Sequence, residues 1–176
     1  HEFHGTDGFV IRDQASGADA GMPRKDFSLA AWVRLDQGHT FGGIIGCMQD
    51  NGNFEKGWLL GYDQEKFSFS LSSMGADDGD GKISHVRSKT SFTKGKWYHL
   101  AASYDGKLMR LYVNGVLDST YTAIKSPLPG DGSTNIAVFG LGNFLNGRIA
   151  RVFCYDRSLT AGEVLNNYNG TETPFL

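Results

Sequence analysis

A chain of 176 residues is long enough for one sizeable hydrophobic core, and 17 Lys and Arg against 19 Asp and Glu leave a net charge of −2. The basic residues are scattered, which excludes a stripe for nucleic acid or a polybasic membrane patch, and no apolar run approaches the roughly 20 residues of a membrane helix. The 24 glycines against 4 prolines, with abundant Phe and Tyr, point to many short strands and tight turns.

In chain order, Gly8 to Ile11 reads as a first short strand, and the Gly/Ala/Ser/Asp segment from Asp13 to Gly21 as a loop. Phe27 to Leu35 alternates, with Phe27, Leu29, Ala31 and Val33 on one side and Ser28, Ala30, Trp32 and Arg34 on the other. Both sides are largely apolar, as in a central strand covered on both faces, which puts Trp32 in a packed environment. Gly42 to Met48, Trp58 to Tyr62, Lys66 to Ser72 and Ile83 to Ser88 follow as strands. They are separated by the polar loop at Gln49 to Asn53, a turn at Asp63 to Glu65, and the acidic segment Gly75 to Lys82.

The stretch Trp97 to Leu117 carries the strongest local signal. Asp105-Gly106 and Asn114-Gly115 suit two-residue hairpin turns, because a type I′ turn needs positive φ at both central positions. A two-residue turn at Asp105-Gly106 pairs Tyr104 with Lys107, Ala102 with Met109, Leu100 with Leu111 and Tyr98 with Val113. This face is apolar except at the turn. The opposite face pairs Ser103 with Leu108, Ala101 with Arg110 and His99 with Tyr112, and is expected to be wet or functional. Strict pairing across Asn114-Gly115 would put Asp118 opposite Leu111 on the core face, so a bulge or strand end is expected there.

Asn135 to Gly140 and Arg148 to Tyr155 are the last strands, with a turn at Gly142 to Gly147 between them. A helix follows: Thr160 and Glu163 form a capping box, Leu159 and Val164 a hydrophobic staple, and the run Asn166 to Gly170 is expected to stop it early. Cys47 and Cys154 lie in apolar runs. Each reads as a small buried hydrophobe, and a disulfide between them would require their strands to meet. About eleven strands without βαβ alternation give an all-β, two-sheet antiparallel sandwich with one short C-terminal helix, as a single domain over residues 1–176.

Four pieces, GTDGFVI, FSLAAWVRLD, KGKWYHLAASYDGKLMRLYVNG and NGRIARVFCYDRSLTAGEV, stand in the order seen in laminin G-like domains. From Phe3 to about Tyr168 the chain resembles this group, which belongs to the wider concanavalin A-like lectin/glucanase group. The resemblance implies a jelly-roll fold and a non-enzymatic module of a secreted or surface protein that binds glycans, proteins or both, often with calcium. Many such domains carry an Asp after the Ile of the final strand as a calcium ligand. Here that position is Ala150, so that site is not carried over.

A different calcium site follows from loop placement. In a simple meander from Gly42 to Ser88, the loops at Asp50 and Asp77 leave one end of the sheet and the turn at Asp63 the other. Asp50, Asn51, Asn53, Asp77, Asp78 and Asp80 would then converge, supplying the carboxylate and amide oxygens that Ca2+ takes from flexible loops. The alternative is two solvated polar loops. Glycan binding asks for an aromatic surface with a few polar groups, and Phe54, Trp58, His99, Arg110 and Tyr112 are the candidates, with His39 and Phe41 in a further loop. Each has a plainer reading in strand packing or as an ordinary surface residue.

Glycoside hydrolysis needs two carboxylates about 5–10 Å apart. The five Glu residues (Glu2, Glu55, Glu65, Glu163 and Glu172) fall outside the expected strands, and the Asp residues fall in turns and loops. No nucleophile elbow, phosphate loop or zinc spacing stands out. The expected function is therefore a non-catalytic, lectin-like, carbohydrate-binding module, extracellular or on the cell surface, with a glycan or a surface or matrix protein as partner. The alternatives are a protein-interaction or adhesion module on the same fold and, further off, a glycosidase-like enzyme. Asn169-Gly170-Thr171 matches the N-glycosylation pattern.

Overall fold

The computed structural model describes residues 1–6, 8–12, 26–37, 40–50, 55–72, 83–122, 139–142 and 144–171. Among them the strands are β1 (Glu2–His4), β2 (Phe9–Arg12), β3 (Phe27–Gln37), β4 (Phe41–Asp50), β5 (Glu55–Asp63), β6 (Lys66–Ser72), β7 (Ile83–Ser91), β8 (Trp97–Tyr104), β9 (Leu108–Val113), β10 (Val116–Thr122), β11 (Phe139–Leu141) and β12 (Asn146–Tyr155). One helix, α1 (Ala161–Thr171), closes the fold. The strands form two antiparallel sheets in a jelly-roll sandwich, ordered β1-β12-β3-β8-β9-β10 and β2-β11-β4-β5-β6-β7. The strand β1 has no counterpart in the sequence reading, and the expected strand residues 135–138 lie outside the described residues.

Alternation builds the core. From β3, Phe27, Leu29, Ala31, Val33 and Leu35 face inward, joined by Tyr98, Leu100, Ala102 and Tyr104 of β8 and Met109, Leu111 and Val113 of β9. The second sheet answers with Ile44, Trp58, Leu60, Tyr62, Phe67, Phe69 and Leu71. Burial of this size is the main favourable term in folding, because each large apolar side chain removed from water contributes about 1.5–3 kcal/mol.

The first hairpin of the ribbon differs from expectation. Tyr104 pairs with Met109, Ala102 with Leu111 and Leu100 with Val113, so the connection holds four residues, Asp105 to Leu108. Asp105 causes this. Its Oδ1 accepts hydrogen bonds from the N–H groups of Lys107 (3.1 Å) and Leu108 (2.8 Å), a side-chain turn that takes up two more residues than a type I′ turn. The register therefore slips by two, and a slip of two leaves every side chain on its expected face.

The second hairpin is tight as expected: Val113 pairs with Val116, and Asn114 and Gly115 have φ of 50° and 79°. The register then shifts between Leu117 and Ser119, a bulge at Asp118. Cys154 is free and exposed rather than buried as expected, and the side chain of Cys47 lies outside those described. A second irregularity between Ala150 and Phe153, with Arg151 at a φ of 50°, re-aims that end of β12.

The outer face of the ribbon β8-β9 is dry, contrary to expectation, while β3 beside it is covered on both faces as expected. Ala30, Ala101 and Tyr112 form a second apolar cluster with Leu159 and Val164, flanked by Phe153 and Tyr155. The capping box forms: Thr160 N donates to Glu163 Oε2 (2.8 Å), and Glu163 N to Thr160 Oγ1 (3.3 Å). Ser28 Oγ accepts from Leu159 N (2.8 Å) and donates to the Arg157 carbonyl (3.0 Å), fixing the approach to α1. The helix runs on through the Asn-rich segment because its far end is docked. Tyr168 stacks on Trp32, and Trp32 Nε1 donates to Thr171 Oγ1 at 3.0 Å.

Candidate functional site

The pairings β4-β5, β5-β6 and β6-β7 are successive antiparallel hairpins, so the meander expected from the sequence is present. Asp50 pairs with Glu55, and Ser72 with Ile83, so the two acidic loops leave the same end of the second sheet. The turn at Asp105 is at this end as well. Tyr104 pairs with Phe27, whose ring lies 5.4 Å from that of Trp58 near the mouth of the β4-β5 loop. Of the six expected metal ligands, Asp50 ends β4, and Asn51, Asn53, Asp77, Asp78 and Asp80 lie outside the described residues. Among the described residues, no three His, Cys, Asp or Glu side chains gather as a metal site.

Of the expected sugar-binding residues, the described ones (Trp58, His99, Arg110 and Tyr112) do not form one exposed surface. Trp58 is buried between the sheets, wedged against Phe27, and has no open ring face. His99 and Tyr112 are buried under α1, because the face they occupy is covered rather than wet. Arg110 is half-buried and its Nη1 contacts Asp105 Oδ2 at 2.8 Å. The Asp105 carboxyl is shifted below the usual carboxylate range: burial alone would raise it, but the N–H of Leu108, Arg110 and the N–H of Lys107 outweigh that. Phe54 lies outside the described residues.

The outer face of the second sheet offers what those residues do not. Directly paired residues project to the same side, so the register reads off rows across β4 to β7. One row is Phe41, Asp63, Lys66 and Ser91; the next is Gly43, Gly61, Ser68 and Arg87; a third is Gly46, Leu59, Ser70 and His85. The floor is thus glycine and serine. Gly61 is required there, since a Cβ would stand 2.3 Å from the Gly42 carbonyl oxygen.

The first two rows hold the exposed chemistry. Asp63 Oδ2 meets Arg87 Nε at 3.3 Å, and both side chains remain partly exposed. Phe41 is 53% exposed and Phe144, on the β11–β12 turn, 49%, with ring centroids 6.0 Å apart. Phe144 holds a φ of 56°, a conformation rare for an aromatic residue, and its carbonyl accepts from the buried Tyr62 hydroxyl at 3.1 Å. The turn is anchored on both sides, by Gly142 N to the Ile44 carbonyl (3.1 Å) and Gly5 N to the Leu145 carbonyl (2.7 Å). Two apolar rings are therefore fixed in water beside a carboxylate–guanidinium pair. Phe41 was visible in the sequence as an aromatic in a polar setting, whereas Phe144 becomes its neighbour only through the pairing of β11 with β4.

Ser70 Oγ and His85 Nδ1 share a hydrogen bond of 2.6 Å on the same face. Burial, the largest cause, lowers the His85 pKa, against Asp63, which raises it, and with Arg87, which lowers it. The pair resembles the nucleophile–base half of a hydrolytic site, yet Ser70 sits mid-strand, paired with Leu59 on one side and His85 on the other. With β6 paired on both sides, its backbone N–H groups serve the ladders rather than an oxyanion site, which such chemistry needs.

The Laminin_G_3 family, described as concanavalin A-like lectin/glucanases superfamily, matches residues 5–165. The chain belongs to this family. Among curated proteins, pappalysin-1 of Mus musculus is 33% identical over 114 residues, covering 58% of this chain and 7% of that protein. Pappalysin-1 of Homo sapiens is 32% identical over 114 residues, again covering 58% of this chain and 7% of that protein. The matched stretch is thus a small fraction of those relatives' length.

Among solved structures, the binding domain of botulinum neurotoxin DC in complex with rat synaptotagmin II superposes with a TM-score of 0.61 at 16% identity, covering 85% of this chain and 37% of that one. A structure described by the dependence of botulinum neurotoxin type C cell entry on two ganglioside molecules superposes at 0.58 and 15% identity, covering 85% and 36%. At these identities the likeness is one of fold. The neurotoxin binding domains share this sandwich with the chain, and a shared fold does not by itself fix a function.

Proposed function

We propose that this domain is a non-catalytic carbohydrate-binding module of a larger secreted or cell-surface protein, and that it takes a glycan on the outer face of its second sheet. The observation that carries this reading is the pairing of Phe41 and Phe144 beside Asp63 and Arg87 over a glycine floor. A pyranose presents an apolar C–H face to an aromatic ring and hydroxyls at its edge. A carboxylate accepts from such hydroxyls while a guanidinium donates to them. Two half-exposed phenylalanines leave about 200 Å² of apolar surface, which matches one sugar ring and is far below the roughly 800 Å² per partner of a stable protein interface. The fold relation to a neurotoxin whose cell entry depends on interaction with two ganglioside molecules supports the same reading.

Calcium belongs to the proposal through the acidic loops. Asp50, Asn51, Asn53, Asp77, Asp78 and Asp80 would hold it with carboxylate and amide oxygens, the donors that Ca2+ prefers.

A second reading, a protein-interaction module, is supported by exposed Val116, Leu117 and Leu165 near the junction of the second hairpin with α1, and by the neurotoxin domain solved with synaptotagmin II. A glycan array run with and without calcium separates the two, using the intact domain alongside Phe41→Ala and Arg87→Ala. Specific sugar binding that both substitutions weaken supports the first reading. No sugar binding under either condition, together with capture of a specific protein partner, overturns it.

A further inference from the structure

The interface between α1 and the first sheet contains a polar group that nothing around it satisfies. His99 has no exposed surface, and neither Nδ1 nor Nε2 has a hydrogen-bond partner. Its ring centroid lies 5.5 Å from that of Trp32 on β3 and 5.8 Å from that of Tyr168 on α1. A neutral imidazole can be held in such a place, but an imidazolium would lose its hydration with no anion to replace it.

We propose that His99 is an acid-sensitive latch: protonation of its imidazole releases α1 from the outer face of the first sheet, uncovering Trp32 and Tyr112. The strand cannot be what moves. His99 N donates to Asn114 Oδ1 at 3.0 Å, and its carbonyl accepts from Asn114 N at 2.8 Å. The strand itself is paired on one side with β3 and on the other with β9. The helix, by contrast, rests on side-chain contacts made by Val164, Tyr168 and Thr171.

Among the described residues, no charged group offsets the protonation. From β3, Trp32 faces the ring and Arg34 lies further along, its guanidinium held by both Asp36 oxygens at 2.7 and 2.8 Å. From β9 and its turn come Tyr112 and Asn114, and from α1 comes Tyr168. The one charged side chain on α1, Glu163, is engaged with Arg157 and Thr160 at the helix start. Burial alone pushes the His99 pKa down, from 6.5 to about 4. A hydrated imidazole in the released state titrates near 6.5, so the released state binds the proton more tightly and gains as pH falls from 6.5 towards 4. Between pH 7.5 and 4.5 this favours release by about two orders of magnitude.

The test is amide hydrogen exchange at pH 7.5 and 4.5, corrected for intrinsic rates, on the wild-type domain and His99→Phe, with the His99 ring followed by NMR in the wild type. The expected result is loss of protection in α1 on the order of 100-fold at pH 4.5, with β3 and β8 amides retained and no such loss in His99→Phe. Where His99→Phe does not fold, His99→Gln serves as the non-titrating comparison. Equal α1 losses in wild type and variant, simultaneous loss in β8, or a His99 ring that titrates near 6.5 in the docked protein would each overturn the proposal.

Discussion

Asp118 and Thr90 join the terminal strands of the two sheets: both the N–H (3.0 Å) and the hydroxyl (2.5 Å) of Thr90 donate to Asp118 Oδ2. Lys89 N adds a bond to Oδ1 at 2.5 Å. The bulge in β10 makes this possible, because it releases Asp118 from the core-facing position that an unbroken ladder would assign to it. Asp118→Ala is expected to lower stability by roughly 1–3 kcal/mol, the range for hydrogen bonds to a charged acceptor, as measured by chemical denaturation. The bonds from Thr90, Ser119 and Lys89 hold its pKa below the ordinary value against burial, which raises it. The stability it supplies is therefore complete above the unfolded-state pKa and is lost as pH falls through the depressed one. Denaturation midpoints of wild type and Asp118→Ala should converge at strongly acidic pH; a constant gap down to pH 2 would contradict this.

Gly115 links the second hairpin to the helix. It holds a φ of 79°, and a Cβ there would stand 3.0 Å from both Leu165 Cδ1 and Tyr168 Cβ. Gly115→Ala is expected to cost about 1–3 kcal/mol through left-handed strain and displaced packing. The loss should be accompanied by weakened protection of α1 amides, which distinguishes it from strain confined to the turn.

Removing the aromatic cover tests the same interface from the helix side. Tyr168→Ala deletes the ring that stacks on Trp32 at 5.6 Å, and about 2 kcal/mol of stability is expected to go with it. Trp32 should then become more accessible to a fluorescence quencher such as acrylamide. Unchanged quenching would mean that another group closes over the indole.

For the outer face of the second sheet, Phe41→Ala and Arg87→Ala are each expected to reduce glycan affinity about tenfold or more, one stacking contact or charged hydrogen bond being worth more than 1 kcal/mol. Both side chains are exposed, so each substitution should move stability by no more than about 1 kcal/mol. Isothermal titration and thermal melting on the same samples read the two effects separately. Loss of binding only in step with loss of folding would remove these residues from the site.

Calcium is expected to raise the melting midpoint above that in EDTA, since a ligand that binds only the folded state stabilises it by mass action. Asp78→Asn with Asp80→Asn should erase that difference. Identical midpoints with and without calcium in the unsubstituted domain would sink the calcium site.

Much of the local structure was legible in the chain. Period-two alternation in Phe27 to Leu35 and Trp97 to Tyr104 identified the strands and their inward faces, because a strand that buries one face must repeat every second residue. Thr160 and Glu163 gave the helix start, and the conflict at Asp118 gave the bulge. The four-residue turn at Asp105 was missed because an Asp-Gly pair specifies a turn, while the side-chain bonds to Lys107 and Leu108 choose its length.

What the sequence determined by itself is the two-sheet sandwich, since alternation, turn residues and caps are properties of neighbours along the chain. Which face stays wet was decided only by tertiary structure. Ala101 and Tyr112 look like a half-polar strand face until Leu159 and Val164, far along the chain, cover them. In the same way, Phe41 and Phe144 become one aromatic surface only when β11 pairs with β4. Burial and adjacency are sums over residues distant in sequence, and no local pattern encodes them.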